Sequence, residues 1–471
     1  MKNPAKLLLL FMLFASTAFS KNLTLVKSMT PPNFELLDVK IYQNHMIIPA
    51  GLGGAVLFDI SDPQAPRSLA GMRPGTANFG RTYNWDMTNN IAIGTSREEG
   101  FAIYNIRKKT QPLLLTTHNP NNDLIPNLKE GSISVEDVEM TKNYAVFASH
   151  SHGLLIYDIS EPSSPRFYSQ ALTQNAWSLA IHGNRIYVAD GEGGLKIVNI
   201  DEIAVPYVMA SVPTSGSARD VRFADGHVFL AVGAAGVDVF DVTSSSDPKF
   251  IANHKTAGFA SRIALNGNLI ATSAWNRVEV IEWTGSSLDL VGYKNTGGRV
   301  MAVGWPDGDH FYSAEWQILR VFKYGEINDP DIDVSVRLLK FKQLEIGESD
   351  TLQLGIENNG KNPLNIQAFG ITSSDFTVEP QPSRLLFGEK ALVDVIYSAS
   401  STTGGGTLQI ASNDPDESSL LITLEGNTRR SVAVGKPAAD FTLPILANGS
   451  GTMSLSQLKG KVVVLALFAS W

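Results

Sequence analysis

The sequence predicts an all-β protein, a seven-bladed β-propeller followed by an immunoglobulin-like β-sandwich, with the start of a further domain at the C-terminus. Three observations carry this. Over the first two thirds of the chain, a motif of glycine, alternating apolar residues and Asp or Asn returns about every forty to fifty residues, the length of one four-stranded blade. Only 18% of the residues are charged while 40 are glycine, a balance that favours turn-rich sheets over helical bundles. Beyond residue 330 the motif gives way to short alternating strands separated by turn residues at sandwich spacing.

With 471 residues the chain exceeds what one core usually supports, and four segments are expected: 1–20, 21–326, 327–428 and 429–471. The first reads as a secretory signal. Lys2 and Lys6 precede the apolar run Leu7 to Phe14, and small residues at Ala18 and Ser20 suit a signal peptidase, leaving Lys21 as the mature start. That run is short for a membrane anchor, and no other segment is apolar enough to span a bilayer. The expected location is therefore extracytoplasmic: the periplasm, cell surface or exterior of a bacterium. The chain has no cysteine, so its stability must come from its cores rather than from disulfides. A net charge of −8 without a basic block implies neither nucleic acid nor an anionic membrane surface as partner.

The repeat is plainest at Gly54 to Asp59, Gly153 to Asp158, Gly194 to Asn199 and Gly236 to Asp241, with a fifth copy at Gly100 to Asn105. Two eroded copies stand at Arg277 to Glu282 and Gln317 to Lys323. The closing Asp or Asn suits a turn, because its short side chain can bond the amide two residues on. Asp59, Asp158 and Asp241 are therefore turn formers rather than catalytic carboxylates. Leu23 to Met29 looks like an outer strand without an upstream partner, and is expected to complete the blade ending at Tyr324. In wording and spacing this region resembles the LVIVD-repeat family of exported propellers, a resemblance that implies fold and placement but no single activity.

The pieces Glu357 to Gly360, Phe376 to Pro380, Thr407 to Asp416 and Leu424 to Gly426 resemble ASH-type immunoglobulin-like domains of hydin-like proteins. The resemblance implies a spacer or interaction module. Within it, Ser412 to Asp416 reads as a tight turn rather than a calcium loop, which would need six or more oxygens. The tail, Val434 to Leu443 and then Leu455 to Trp471, resembles the opening of redoxins, with Ala439 where that family usually has proline. Its apolar strand Val462 to Phe468 suits a central strand covered on both faces. The resemblance implies an incomplete thioredoxin-like α/β stub, with the family's nucleophilic cysteine expected immediately after Trp471 at a helix N-terminus that lowers its pKa. The chain as given holds no catalytic residue. Three origins for its end remain open: a UGA codon for selenocysteine, a fragment end, or a true stop.

Propeller ligands are expected over the central channel, where inner strands begin and second strands turn into third. That rule selects Arg97, Glu98, Glu99, His150, His152, Asp190, Glu192, Trp275, Glu315 and Trp316, with Trp85, Trp177, Arg219 and Arg299 near inner-strand starts. The binding candidates are Trp85, Trp177, Arg219, Arg299, His150 and His152. The two histidines, two apart on extended backbone, can point the same way, but a shared metal needs a third ligand that the sequence does not name. No hydrolase, nucleotide or dinucleotide motif is present, and no cofactor is expected. Two functions remain: an exported scaffold that binds a protein or cell-surface ligand and whose full form carries a redoxin reducing disulfides or peroxides, or a non-catalytic adhesion protein with a vestigial redoxin fragment.

Overall fold

A computed structural model describes residues 23–30, 35–74, 81–125, 131–296, 298–415, 417–427, 442–444, 452–454 and 457. The signal-like segment and most of the redoxin-like tail lie outside these residues. Among the described residues there is no α-helix, and a short 3-10 turn stands at Pro120–Asn122. No helix among them is long and apolar enough to cross a membrane. They divide into two compact units, one running to Asp333 and including Asn359–Lys361, the other made of Val334–Asn358 and the described residues from Asn362 onward.

The first unit contains seven four-stranded antiparallel sheets among its described residues. Six follow chain order, within 40–72, 82–118, 137–171, 178–212, 220–254 and 260–295. The seventh joins Ala302–Gly304, His310–Glu315 and Ile318–Tyr324 to the N-terminal strand Leu23–Met29. Each clear motif copy is the third strand of its sheet. The glycine that opens it has a positive φ, as at Gly54 (82°) and Gly236 (95°), and a Cβ there would meet the carbonyl oxygen of Met72 at 2.2 Å or of His254 at 2.0 Å. Only glycine lets the third strand start this close to the fourth. The closing residue behaves as its chemistry predicts: Asp59 accepts from the Ser61 amide (2.9 Å), Asp158 from Ser160 (2.9 Å) and Asp241 from Thr243 (2.8 Å). Asn105 and Asn199 do the same for Arg107 and Asp201.

Alternation along each strand places apolar side chains on both faces, and they meet in the gaps between neighbouring sheets. Ile47, Trp85 and Tyr104 fill the gap between sheets one and two, and Phe101, Phe147 and Tyr157 that between two and three. Sheets seven and one also share a core, in which Tyr312, Leu319 and Val321 pack with Leu36, Met46 and Ile48. The N-terminal strand pairs from Leu23 opposite Tyr324 to Met29 opposite Leu319, and Leu23 is fully buried beside Phe311 and Phe322. Burying a leucine side chain contributes about 2 kcal/mol.

In the second unit, two sheets carry the strands of a sandwich, ordered Ser349–Asn358, Lys390–Ser398, Phe376–Glu379 and Leu338–Lys340, Ser419–Glu425, Gly405–Ser412, Leu364–Ile371, Arg384–Leu385. Phe341, Phe376 and Tyr397 form its aromatic centre, with Phe376 stacked on Tyr397 at 4.9 Å. The Tyr397 hydroxyl accepts from the Asn427 amide (3.0 Å). Asp414 accepts from the Glu417 amide (3.1 Å) and Ser412 from the Asp414 amide (3.3 Å), so these side chains close their own turn. In the tail, Thr442–Pro444 pairs antiparallel with Thr452–Ser454.

Candidate functional site

In the first unit the first strands of successive sheets lie side by side, forming an inner wall. At its upper end, where first strands begin and second strands end, a corner residue of one sheet accepts a backbone hydrogen bond from the residue that starts the next. This occurs at six junctions among the described residues: Gly51 with Thr82, His150 with Ala176, Gly191 with Ala218, Gly233 with Ala260, Trp275 with Val300 and Trp316 with Leu36. The geometry needs a positive φ at the corner, which Gly51, Gly191 and Gly233 supply at 54°, 58° and 62°. His150, Trp275 and Trp316 hold the same conformation at 43°, 64° and 49°. Acidic side chains pin the loops beside these corners: Asp190 accepts from the amides of Gln174 (3.0 Å) and Asn175 (2.7 Å), Asp238 from Ser215 (2.7 Å) and Glu279 from Ala257 (3.0 Å).

On this framework arginines alternate with rings. The Arg97 guanidinium lies over Tyr83 at 4.0 Å and 5.8 Å from Trp177, while Arg219 lies over Trp177 at 4.1 Å and 5.8 Å from Phe259. His150 meets Trp177 edge-on at 4.7 Å, and Arg299 covers Trp275 at 4.4 Å. Beneath them Glu136 takes two hydrogen bonds from Arg97 (2.5 and 2.9 Å) and stands 3.3 Å from His150 Nε2. Burial pushes the Glu136 carboxyl up, but the His150 and Arg97 hydrogen bonds and the guanidinium charge outweigh it and hold its pKa down at about 2. It stays ionised and fixes both partners. The other Nδ1 side of His150 meets Asn175 Oδ1 at 3.1 Å.

Below this end the inner wall carries a network of charges. Lys40 reaches Asp86 (3.2 Å) and Glu139 (3.7 Å), Arg222 binds Asp220 (2.9 Å), and Arg262 approaches Asp38 (3.6 Å). Several of the carboxylates also accept a backbone amide from the next sheet: Asp86 from Met140, Asp137 from Leu179, Glu139 from Ile181 and Asp220 from Ile263. They do across the gap what a β-ladder does within a sheet. Burial pushes Asp137 up to about 6 and Glu139 up to about 7, against the pull of Lys40. Lys40 is itself raised, because Asp86 and Glu139 overcome the burial that would lower it.

Of the residues the sequence selects, the structure brings Trp177, Arg219 and His150 together and sets Arg299 on Trp275. Trp85 lies elsewhere. A bulge between Thr82 and Trp85 turns its indole into the core between sheets one and two, where it is fully buried over Gly94, opposite which it pairs. His152 is likewise buried, at 2% exposure, because residues 149–153 form a tight turn rather than the extended backbone that would align it with His150. No group of three His, Asp or Glu side chains among the described residues is placed to hold a metal ion. The inner-wall charges escaped the sequence reading, although the doublet Asp-Val recurs at 38–39, 137–138 and 220–221, the first just before a first strand and the other two opening one.

A chain of repeated four-stranded sheets followed by a sandwich, with its polar and aromatic side chains gathered where inner strands begin, has the build of a scaffold or binding protein. Residues 134–173, 174–214 and 215–256 match the LVIVD repeat, a propeller-type unit, and residues 330–427 match the HYDIN/CFA65/VesB-like, Ig-like domain. The crystal structure of the computationally designed Ika8 protein aligns at 12% identity over 64% of this chain and 99% of that one, with a TM-score of 0.47. No curated protein matches.

Proposed function

We propose that this chain is an exported bacterial scaffold whose seven sheets close into a ring, and that the upper end of the ring is a mouth binding a protein or cell-surface ligand. The observation that carries this is the cluster at Trp177, where arginines and a histidine from several sheets converge on one indole. Aromatic and arginine side chains held rigid by their neighbours are the usual energetic anchors of binding surfaces. The shared core of sheets one and seven supports the ring, and the signal-like residues 1–20 support export. The motif order from Val434 to Trp471 supports a redoxin domain in the full protein, doing thiol or selenol reduction of disulfides or peroxides on a target that the scaffold holds.

A photo-cross-linker at Asn175 on the mouth, compared with one at Asn266 on the opposite end of its strand, tests the binding surface in an extracytoplasmic extract of the source cell. Adducts formed from the mouth and lost on Trp177→Ala support it. Equal labelling from both ends removes the mouth as the site. The redoxin reading is tested separately, by whether the coding frame past Trp471 continues with a nucleophile and a resolving cysteine.

A further inference from the structure

Two guanidiniums at the upper end lack an acid. Arg219 and Arg299 form no side-chain hydrogen bond and no ion pair with any described residue, whereas Arg97 and Arg262, whose charges act on Arg219, are engaged with Glu136 and Asp38. Burial lowers the pKa of both, and Glu192, whose charge acts most on Arg219, stands beyond ion-pair distance. Arg219 Nε is buried with no acceptor, as is Trp177 Nε1 alongside it. Donors desolvated without acceptors cost free energy, so this arginine is held in place at a cost.

The backbone around them points the same way. At the repeated corner where three sheets use glycine, Trp275 and Trp316 are held in the left-handed region, which bulky side chains avoid at a cost of order 1–3 kcal/mol. Glycine would satisfy the corner without strain, so a side chain retained there serves something other than the fold. Trp275 remains 47% exposed while carrying Arg299 on its ring.

We infer that the mouth binds a carboxylate-rich peptide segment, with Arg219 and Arg299 as its anchoring cations and Trp177 and Trp275 as the platforms that orient them. This rests on the mouth being the binding surface. A guanidinium stacked flat on an indole keeps its N–H edge outward, the geometry that takes a carboxylate bidentately. The observations favour a peptide over an acidic polysaccharide because Trp177 is flanked by Arg97 and Arg219 and Trp275 is covered by Arg299. Trp177 thus presents guanidinium rather than a bare face on which a sugar could stack, and Arg299 takes up one face of Trp275.

The test uses the secreted chain and a fluorescent hexaglutamate peptide at low ionic strength, with hexaglutamine and oligogalacturonate as comparison probes. Hexaglutamate is expected to bind in a salt-sensitive way, and Arg219→Ala and Arg299→Ala each to weaken it roughly tenfold. Trp275→Gly is expected to weaken binding similarly while Tm stays level or rises, by about 2 °C where strain dominates. Absence of hexaglutamate binding overturns the inference, as does binding that the arginine variants leave unchanged. Preference for oligogalacturonate over hexaglutamate overturns the peptide assignment. A Trp275→Gly variant that melts several degrees lower while binding normally assigns the tryptophan to the fold and overturns its role. Cross-linking at Asn175 to a partner that hexaglutamate does not displace leaves the mouth as a binding surface and rejects only the acidic ligand.

Discussion

Glu136 shows how much one buried side chain decides at the upper end. Its carboxylate fixes Arg97 beside Tyr83 and His150 beside Trp177, so the aromatic cluster inherits its geometry from a residue that is itself hidden. Glu136→Gln should cost about 1–3 kcal/mol in urea unfolding, since hydrogen bonds to charged groups have that worth. A loss below about 0.5 kcal/mol would mean that the pairing is idle. A second substitution probes packing: a Cβ on Gly94 would lie 2.3 Å from the Trp85 ring, so Gly94→Ala should destabilise by about 1–3 kcal/mol through overpacking. The same tryptophan marks a limit of the sequence. Trp85 and Trp177 both stand near the start of a first strand, and the bulge that sends one inward has no signature in composition or alternation. The turn-forming Asp and Asn residues were legible because their partners lie two residues away.

At the scale of the element, the N-terminal strand carries the clearest consequence. Leu23–Met29 is the outer strand of a sheet whose other three strands lie near residue 300, and without it Ile318–Tyr324 would present an open edge. Deleting residues 23–29 should lower the Tm of the first unit and remove the cooperative transition at physiological temperature; an unchanged Tm would show that the strand is dispensable. The strand was legible because its alternation had no local partner. The two eroded repeats were legible for a related reason: they lost glycine and aspartate but kept their apolar alternation, and both became third strands, Arg277–Trp283 and Ile318–Tyr324. The sequence offered no account of why erosion coincides with a tryptophan at the corner, because the corner's φ is set by a bond to the next sheet.

Across the whole first unit, the inner-wall charges set a pH dependence of unusual sign. Asp137 and Glu139 have folded pKa values raised to about 6 and about 7, so between their ordinary range and pH 7 the folded state binds more protons than the unfolded one. Their contribution is present below about pH 4 and is lost as the pH rises through 6 to 7. Glu136 acts oppositely: its contribution is present above about pH 4.5 and is lost as the pH falls towards 2. Tm should therefore rise from pH 7.5 to about 5 and fall below about 3. Glu139→Gln should flatten the rise between pH 7.5 and 5, and a wild-type Tm that falls steadily over that interval would contradict the assignment. The network was invisible beforehand because its members come from different sheets; the Asp-Val doublet fixes where each acid sits along its strand but not what faces it.

The pairing of Leu23–Met29 with Ile318–Tyr324 also sets a timetable. Of the described strands of this unit, the first to leave the ribosome is seated against one of the last, and at synthesis rates of about 5–20 residues per second it waits on the order of 15–60 s for its partner. Until then the nascent chain is a line of sheets with a loose leading end, vulnerable to cleavage there and to capture by another copy's unfinished last sheet. A protease site placed at Thr24 should remain cuttable in arrested chains that stop short of Ile318 and become resistant once Tyr324 has emerged. Completion of the unit is thus checked at Leu23–Met29, a strand made about 300 residues before its partner.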